Sequence, residues 1–263
     1  MRDMDERAKE NETMNETTSS VYEPHEWKHG TVVAGIPWRN PVGTASGTFQ
    51  VDACGQFYDV SQLGAVTTKG VSPVPWLGNP GVRTAECPAG TVNAVGLQNP
   101  GIEHVLAHEL PELKRIYNKK IIANIGGFSV DEYVECARLA ASADNVGMIE
   151  LNISCPNVHG GGAAFGADPK SAAEVTKAVR AVTKKPIILK LSPTAADIAA
   201  VAKACEDAGA DGVSLINTLP GMRIDLKRRR PLLANTTGGM SGPGMFPLAV
   251  RMVYQVYEAV SIP

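Results

Sequence analysis

The sequence predicts an α/β fold on a parallel sheet, and within that class a (β/α)8 barrel. Three features carry the prediction. From Pro41 onward, short apolar runs alternate with longer helical patterns, as repeated strand–helix units require. No GxGxxG string follows the first run, which argues against a doubly wound dinucleotide fold. Polar residues end several different runs: Lys69, Asn124, Asn152, Lys190 and Asn217. Barrels assemble their active sites from the C-terminal ends of several strands, so the barrel is favoured.

The expected strands lie near residues 42–45, 65–69, 121–124, 148–152, 187–190 and 212–216. Helices are expected between them. Ser129 and Glu132 form a capping-box pair ahead of Val130, Tyr133, Val134, Ala137, Ala140 and Ala141, a stripe of 3.6-residue period. Asp168 is an N-cap followed by proline at the first helical position. Ile198, Val201, Ala202 and Cys205 mark a buried face, which makes Cys205 a core residue, and Gly209 is placed to close that helix. Only six strands precede Ser261-Ile262-Pro263, where a further apolar strand is expected to begin, so the chain is expected to be part of a longer protein.

Composition narrows the classes. With 263 residues, 44% hydrophobic and 20% charged, the chain is globular rather than disordered or fibrous. Five cysteines without CxxC spacing argue against a disulfide framework, against a zinc site, and for a reducing, cytoplasmic setting. No apolar stretch approaches the roughly 20 residues that span a bilayer, and no signal peptide opens the chain, so a soluble protein is expected. The net charge of −2 conceals an asymmetry: residues 1–26 hold eight acidic and three basic side chains. Residues 1–27 therefore read as an acidic, disordered tail, and 28–263 as the folded domain. Three Asn-x-Thr matches to the glycosylation sequon are chance matches in a chain without a secretion signal.

The chemistry concentrates in Asn152-Ile153-Ser154-Cys155-Pro156-Asn157, where a strand ends in a thiol between two side-chain amides. Pro156 disfavours helical dihedrals at Cys155. A lone cysteine after a strand is more often a small buried hydrophobe than a nucleophile or base. The neighbours shift that balance. Two lysines that end apolar strands need a negative partner if buried. Together with the asparagines, and with no carboxylate among them, they suit an anionic, amide-rich ligand.

Several uncommon strings carry a resemblance. Thr44-Ala45-Ser46-Gly47, Thr67-Thr68-Lys69-Gly70, Asn93-Ala94-Val95-Gly96-Leu97-Gln98-Asn99-Pro100-Gly101, the Asn152 to Asn157 run, Leu189-Lys190-Leu191-Ser192-Pro193, Ile216-Asn217-Thr218 and Gly238-Gly239-Met240-Ser241-Gly242-Pro243 occur in this order. In them the chain resembles the class 1 dihydroorotate dehydrogenases, flavin-dependent (β/α)8 barrels of pyrimidine synthesis. The resemblance implies that flavin mononucleotide (FMN) lies across the top of the barrel with orotate stacked on its ring.

By the same resemblance, Cys155 is the general base that removes the C5 proton while hydride leaves C6. Asn93, Asn157, Asn217 and Thr218 bind the pyrimidine and its carboxylate, and the backbone of Val95, Gly96 and Leu97 completes the pocket. Lys190 stands near flavin N1 and O2, and Lys69 lies between flavin and substrate. Ala45, Ser46, Gly47, Asn124, Asn152 and Gly242 hold the flavin, and His159 to Gly162 resembles a segment that closes over substrate. A thiol with a pKa of about 8.5 is a few per cent ionised at neutral pH, so activity is expected to rise toward alkaline pH.

A cysteine base points to the soluble class rather than the membrane-linked one, which uses serine. The strings at 93–101 and 241–243 look more like the NAD-linked type. That type pairs the barrel, expected as a homodimer, with a subunit carrying FAD and a [2Fe–2S] cluster, giving a heterotetramer. The resemblance also implies two further strand–helix units after Pro263. The run Lys227 to Arg230 fits a solvated basic loop better than a partner contact, and without interleaved aromatics it is a poor nucleic-acid signal. Two other readings stand beside this one: reduction of uracil-type rings, as in dihydropyrimidine dehydrogenases, and a non-catalytic barrel remnant that acts by binding.

Overall fold

The computed structural model of the chain describes residues 30–153 and 162–263. The acidic tail expected at 1–27, and Cys155, Asn157 and His159, lie outside the described residues. The described chain opens with an antiparallel hairpin, β1 (Thr31–Val33) and β2 (Ile36–Trp38). Its two turn residues, Ala34 and Gly35, have φ of 47° and 78°, the paired positive values that a two-residue hairpin turn needs. Val33, Ala34, Ile36 and Trp38 pack against Ala65, Ile122, Met148 and Ile188, closing one end of the parallel sheet's inner face.

The first two expected strands are reduced to single bridges: Gly43 pairs with Ala65, Thr67 with Ile122 and Val71 with Ile125, all but the first onto the third strand, and all parallel. Just past the first of them a side chain continues the ladder: Thr67 N–H donates to Thr44 Oγ1 at 2.9 Å. The short helix α1 (Val51–Cys54) lies between the two segments. After them come a hairpin of β3 (Thr84–Cys87) and β4 (Gly90–Asn93), then α2 (Ile102–His104), which runs through a wide turn at Val105–Glu109 into α3 (Leu110–Ile116).

The remaining expected strands form one parallel sheet in the order β5 (Ile121–Ile125), β6 (Val146–Asn152), β7 (Ile187–Lys190) and β8 (Gly212–Ser214). Strand β8 ends two residues earlier than its apolar run, and the Leu215–Ile216 peptide is cis. Counted with the bridged segments, six parallel stretches follow one another in chain order. Val213 N–H donates to Pro263 O at 2.8 Å, so the end of the chain runs along the other side of β8.

The helices α4 (Val130–Ser142), α5 (Gly162–Ala167), α6 (Pro169–Arg180) and α7 (Ile198–Asp207) connect these strands. Period-2 alternation sorts the sheet's residues. Ile121, Ala123, Ile125, Ile149, Leu151, Ile187 and Leu189 join Tyr133, Ala137, Val175, Val179, Val201 and Cys205 of the helices in one core. Burying each large side chain stabilises the fold by about 1.5–3 kcal/mol.

The helix starts follow the sequence signals. Ser129 Oγ accepts from Glu132 N–H at 3.3 Å, while Glu132 Oε2 accepts from Phe128 N–H at 2.7 Å, one residue earlier than the standard reciprocal bond. Asp168 and Asp197 cap α6 and α7. Gly209 takes a φ of 100° just past α7.

A second sheet has no signal in the expected strand list. It is antiparallel, in the order β3-β4-β12-β9, with β9 (Leu219–Gly221) and β12 (Gly238–Ser241). Between these two strands, β10 (Ile224–Asp225) and β11 (Arg230–Pro231) make a hairpin whose tip carries the basic run. Asp225 Oδ1 accepts from the N–H groups of Lys227 and Arg228, and the lysine and arginines face solvent. The last helix is α8 (Phe246–Tyr257). Among the described residues, no helix is long and apolar enough to cross a membrane.

Candidate active site

The inner face of the parallel sheet changes character along its strands. Ile122, Met148 and Ile188 lie against the N-terminal hairpin; beyond them the same face carries Asn124, Glu150, Asn152 and Lys190. Register places Asn124 beside Glu150 and Asn152 beside Lys190.

Lys190, ending β7, donates from Nζ to Ser46 Oγ at 2.9 Å. The next residue, Gly47, has a φ of 80°, and a Cβ there would stand 3.3 Å from Lys69 Nζ. Ser46-Gly47 therefore sits between two cations, with bare main chain at their meeting point. The structure thus brings together four of the residues expected to hold flavin. The carbonyl oxygen of Ala45 is engaged within its own turn, accepting from Thr48 Oγ1 at 2.7 Å.

Asn152 and Asn217 meet at 3.4 Å, Nδ2 of Asn217 donating to Oδ1 of Asn152. The other end of the Asn217 amide is used locally: Thr218 N–H donates to Asn217 Oδ1 at 2.8 Å. Thr218 lies directly on Gly239, where a Cβ would stand 1.8 Å from Thr218 Oγ1. Asn93 Nδ2 donates to Gly239 O at 3.2 Å across 146 residues of sequence. The antiparallel sheet therefore places Asn93 beside Asn217 and Thr218. A cleft of about 640 Å³ opens here, lined by Ile216, Asn217, Thr218, Gly242, Pro243 and Phe246. Ile216, which the sequence offered as a strand end and within the 216–218 string but with no site role, belongs to that lining.

Val95, Gly96 and Leu97 occupy a loop with consecutive positive φ values of 73° at Gly96 and 59° at Leu97. Val95 O accepts from Asn79 N–H at 3.0 Å, and Leu97 is 6% exposed with its side chain against Gly70 and Gly126. Asn99 fixes the loop's exit: its Oδ1 accepts from the N–H groups of Ser72 and Gly101 at 3.1 and 2.9 Å.

The expectation of a site without a carboxylate is overturned. Glu150 is 6% exposed and lies among these groups. Asn124 Nδ2 donates to Glu150 Oε2 at 2.5 Å, and Ser214 Oγ donates to Oε1 at 2.6 Å. Reading only strand ends hid it, although Glu150 stands two residues before Asn152 and so shares its face. Asn124 is fully buried, and its Oδ1 has no hydrogen-bond partner among the described residues. A lone buried acceptor implies a missing donor. Two cations, a bare glycine and an orphaned amide oxygen fit a flat, anionic ligand with ring N–H and carbonyl groups.

Two thiols are excluded from this chemistry. Burial pushes Cys136 up to about 12 and Cys205 up to about 11, and both are core residues. Among the described residues, no group of His, Cys, Asp and Glu is placed to hold a metal ion.

The model of the family described as Dihydroorotate dehydrogenase matches residues 30–263. The chain belongs to that family. The catalytic subunit of dihydroorotate dehydrogenase B (NAD(+)) from Alkaliphilus metalliredigens is 52% identical over 232 residues, covering 88% of this chain and 76% of the relative. Its counterpart from Listeria welshimeri is 53% identical over 233 residues with the same coverage. That from Geobacillus kaustophilus is 54% identical over 230 residues, or 87% of this chain and 73% of its own length. The dihydroorotate dehydrogenase match spans every described element from the N-terminal hairpin to Pro263.

Proposed function

We propose that this protein oxidises dihydroorotate to orotate in pyrimidine biosynthesis, as the catalytic subunit of an NAD-linked enzyme. The observation that carries the proposal is the Ser46–Lys190 contact beside Gly47 and Lys69, which joins the first, second and fifth parallel segments into one cationic cradle. The six parallel stretches are read as wall strands of a (β/α)8 barrel, with the site at their C-terminal ends.

FMN is the proposed cofactor and, when bound, supplies the two-electron acceptor that takes the hydride from C6 of dihydroorotate. The chain's own groups do the rest. Lys190, held by Ser46, sets a fixed positive charge where the reduced ring would carry negative charge. Lys69, which lies beside Gly47, is assigned the bridge between cofactor and substrate. Ala45, Asn124, Asn152 and Gly242 complete the flavin contacts. Asn93, Asn217 and Thr218, joined through Gly239, present amide and hydroxyl groups to the pyrimidine ring and its carboxylate. The 95–97 loop and Asn157 close the substrate pocket. Cys155 is assigned the C5 proton; it follows Asn152, whose carbonyl is fixed by Tyr133 Oη at 2.6 Å.

Electrons then pass to NAD through a partner subunit carrying FAD and a [2Fe–2S] cluster, in a cytoplasmic heterotetramer built on a homodimer of this chain. The deciding test is anaerobic addition of dihydroorotate, or of dihydrouracil, to the FMN-loaded protein while the flavin's visible absorbance is followed. Bleaching by dihydroorotate alone is expected, and it should be lost in Cys155→Ala. Bleaching by dihydrouracil alone would overturn the assignment in favour of uracil-type rings.

A further inference from the structure

Glu150 has no part in the chemistry set out above, yet among the described residues it is the one buried carboxylate of the site. Its two oxygens are both used: one accepts from Asn124 on β5, the other from Ser214 on β8, so the side chain crosses the inner face over β6 and β7. A carboxylate only accepts, whereas an asparagine amide has a donating end and an accepting end. The pairing therefore decides which end of Asn124 faces Glu150. The nitrogen must, and the oxygen must point the other way.

That oxygen, Asn124 Oδ1, is the orphaned buried acceptor. It lies against Gly70, where a Cβ would come within 2.5 Å of it. Thr68 Oγ1 holds the backbone of the same residue, accepting from Asn124 N–H at 3.1 Å. The main chain, the amide nitrogen and the carboxylate behind it are all fixed, and only the oxygen is left unsatisfied.

We infer that Glu150 is a positioning residue of the flavin site: by holding the Asn124 amide in one orientation, it presents Oδ1 as an acceptor for a ring N–H of the cofactor. The inference rests on the flavin reading above. The oxidised isoalloxazine ring has a single N–H, at N3, so that is the donor Asn124 selects. If the amide were turned over, two acceptors would face each other across Glu150, and two donors would meet at the ring edge. Ser214 serves the same end one step removed, since its hydroxyl occupies the second carboxylate oxygen and keeps Glu150 from turning.

The test is a fluorescence titration of the apo-protein with FMN and with N3-methyl-FMN. The wild type should bind FMN about tenfold more tightly than the methylated form, the equivalent of about 1.4 kcal/mol for one buried hydrogen bond. Glu150→Leu, similar in size but with no acceptor, should reduce that ratio to near one. Glu150→Gln should keep it, because its amide oxygen can accept from Asn124 while its nitrogen donates to the Ser214 hydroxyl. A folded Glu150→Leu protein that keeps the full ratio would overturn the inference, as would equal binding of the two flavins by the wild type. Failure of the wild type to bind FMN at all would instead remove the flavin reading.

Should Glu150→Leu not fold, an exchange of roles decides. Asn124→Asp alone sets two carboxylates face to face and should weaken both flavins at least tenfold. Asn124→Asp combined with Glu150→Gln restores every hydrogen bond with donor and acceptor exchanged, and should recover the preference for FMN. Equal loss in the single and the double variant would overturn the inference.

Discussion

Lys190 Nζ donates to Ser46 Oγ at 2.9 Å, linking two residues 144 positions apart. The bond ties the end of β7 to the loop after the first parallel segment, and it orients a cation whose alternative is solvent. Ser46→Ala removes the acceptor and leaves the charge, so FMN affinity should fall by about tenfold to a hundredfold, the range of one hydrogen bond to a charged group. Lys190→Met removes the charge as well, and should lower both affinity and the reduction potential of bound flavin. Fluorescence titration and a spectroelectrochemical titration measure the two effects. An unchanged potential in Lys190→Met would separate this lysine from the ring.

Tyr133 reaches from α4 to the end of β6, where its hydroxyl donates to Asn152 O at 2.6 Å. The ring is fully buried and meets Phe165 edge-on at 5.8 Å. Tyr133→Phe keeps the packing but strands a buried carbonyl, which costs about 1–3 kcal/mol. Thermal unfolding should show the loss. The substitution should also raise KM for dihydroorotate, since Asn152 leads directly into the segment carrying Cys155.

How much of this was legible depends on the range of the interactions. Strands β5 to β8 were readable because each is a short apolar run whose partner is the next such run, and the caps at Ser129 and Asp168 are local chemistry. The Asn124, Asn152 and Lys190 positions followed from the same runs. The antiparallel sheet was not readable: its strands are three to four residues long, most of them contain glycine, and β4 finds β12 only through the fold. The segment at 42–45 read as a strand from its composition, yet Val42 is 59% exposed and one bridge is all that forms. Glu150 sits inside the apolar run of β6 rather than at its end, and only the period of two, which places it on the same face as Asn152, marks it as a site residue. The hairpin turn at Ala34-Gly35 did carry a signal, a glycine between two short apolar runs.

Gly239 shows what the antiparallel sheet does for the site. It is covered by Thr218 so closely that a methyl group would displace the threonine, whose neighbour Asn217 faces Asn152. Gly239→Ala should therefore destabilise the protein by about 1–3 kcal/mol, the usual range for overpacking. It should also weaken orotate binding more than FMN binding. Parallel titrations of the two ligands check this, and an equal loss would mean the damage is general rather than confined to the substrate side.

Asp168 caps α6, accepting from Ser171 N–H at 2.9 Å and Ser171 Oγ at 3.0 Å. The backbone bond from Ser171, the side-chain bond from the same residue and the nearby Lys170 hold its carboxyl below the ordinary 3.8. The sign follows from linkage. A depressed folded-state value adds stability above the unfolded value, and that stability disappears as pH falls through the folded one. Wild-type melting temperature should accordingly drop more steeply below about pH 4 than that of Asp168→Asn, which still caps the helix without titrating. Parallel slopes would leave Asp168 out of the acid response.

The thiols offer a way to isolate Cys155 chemically. Cys136 and Cys205 are fully buried and shifted upward by desolvation, so neither supplies thiolate near neutral pH. Cys54 and Cys87 are half-buried and remain open to reagents. In a Cys54→Ser, Cys87→Ser protein, alkylation by iodoacetamide at pH 8 should therefore stop at one equivalent, located by peptide mass at Cys155. Its rate against pH reports the ionisation of the proposed base directly. Orotate should protect it if the thiol stands over the substrate as proposed, and modification should abolish dihydroorotate-driven bleaching while leaving FMN bound. Labelling that reaches Cys136 or Cys205 in the folded protein would contradict the burial of those two thiols, and an unprotected Cys155 would remove it from the substrate pocket.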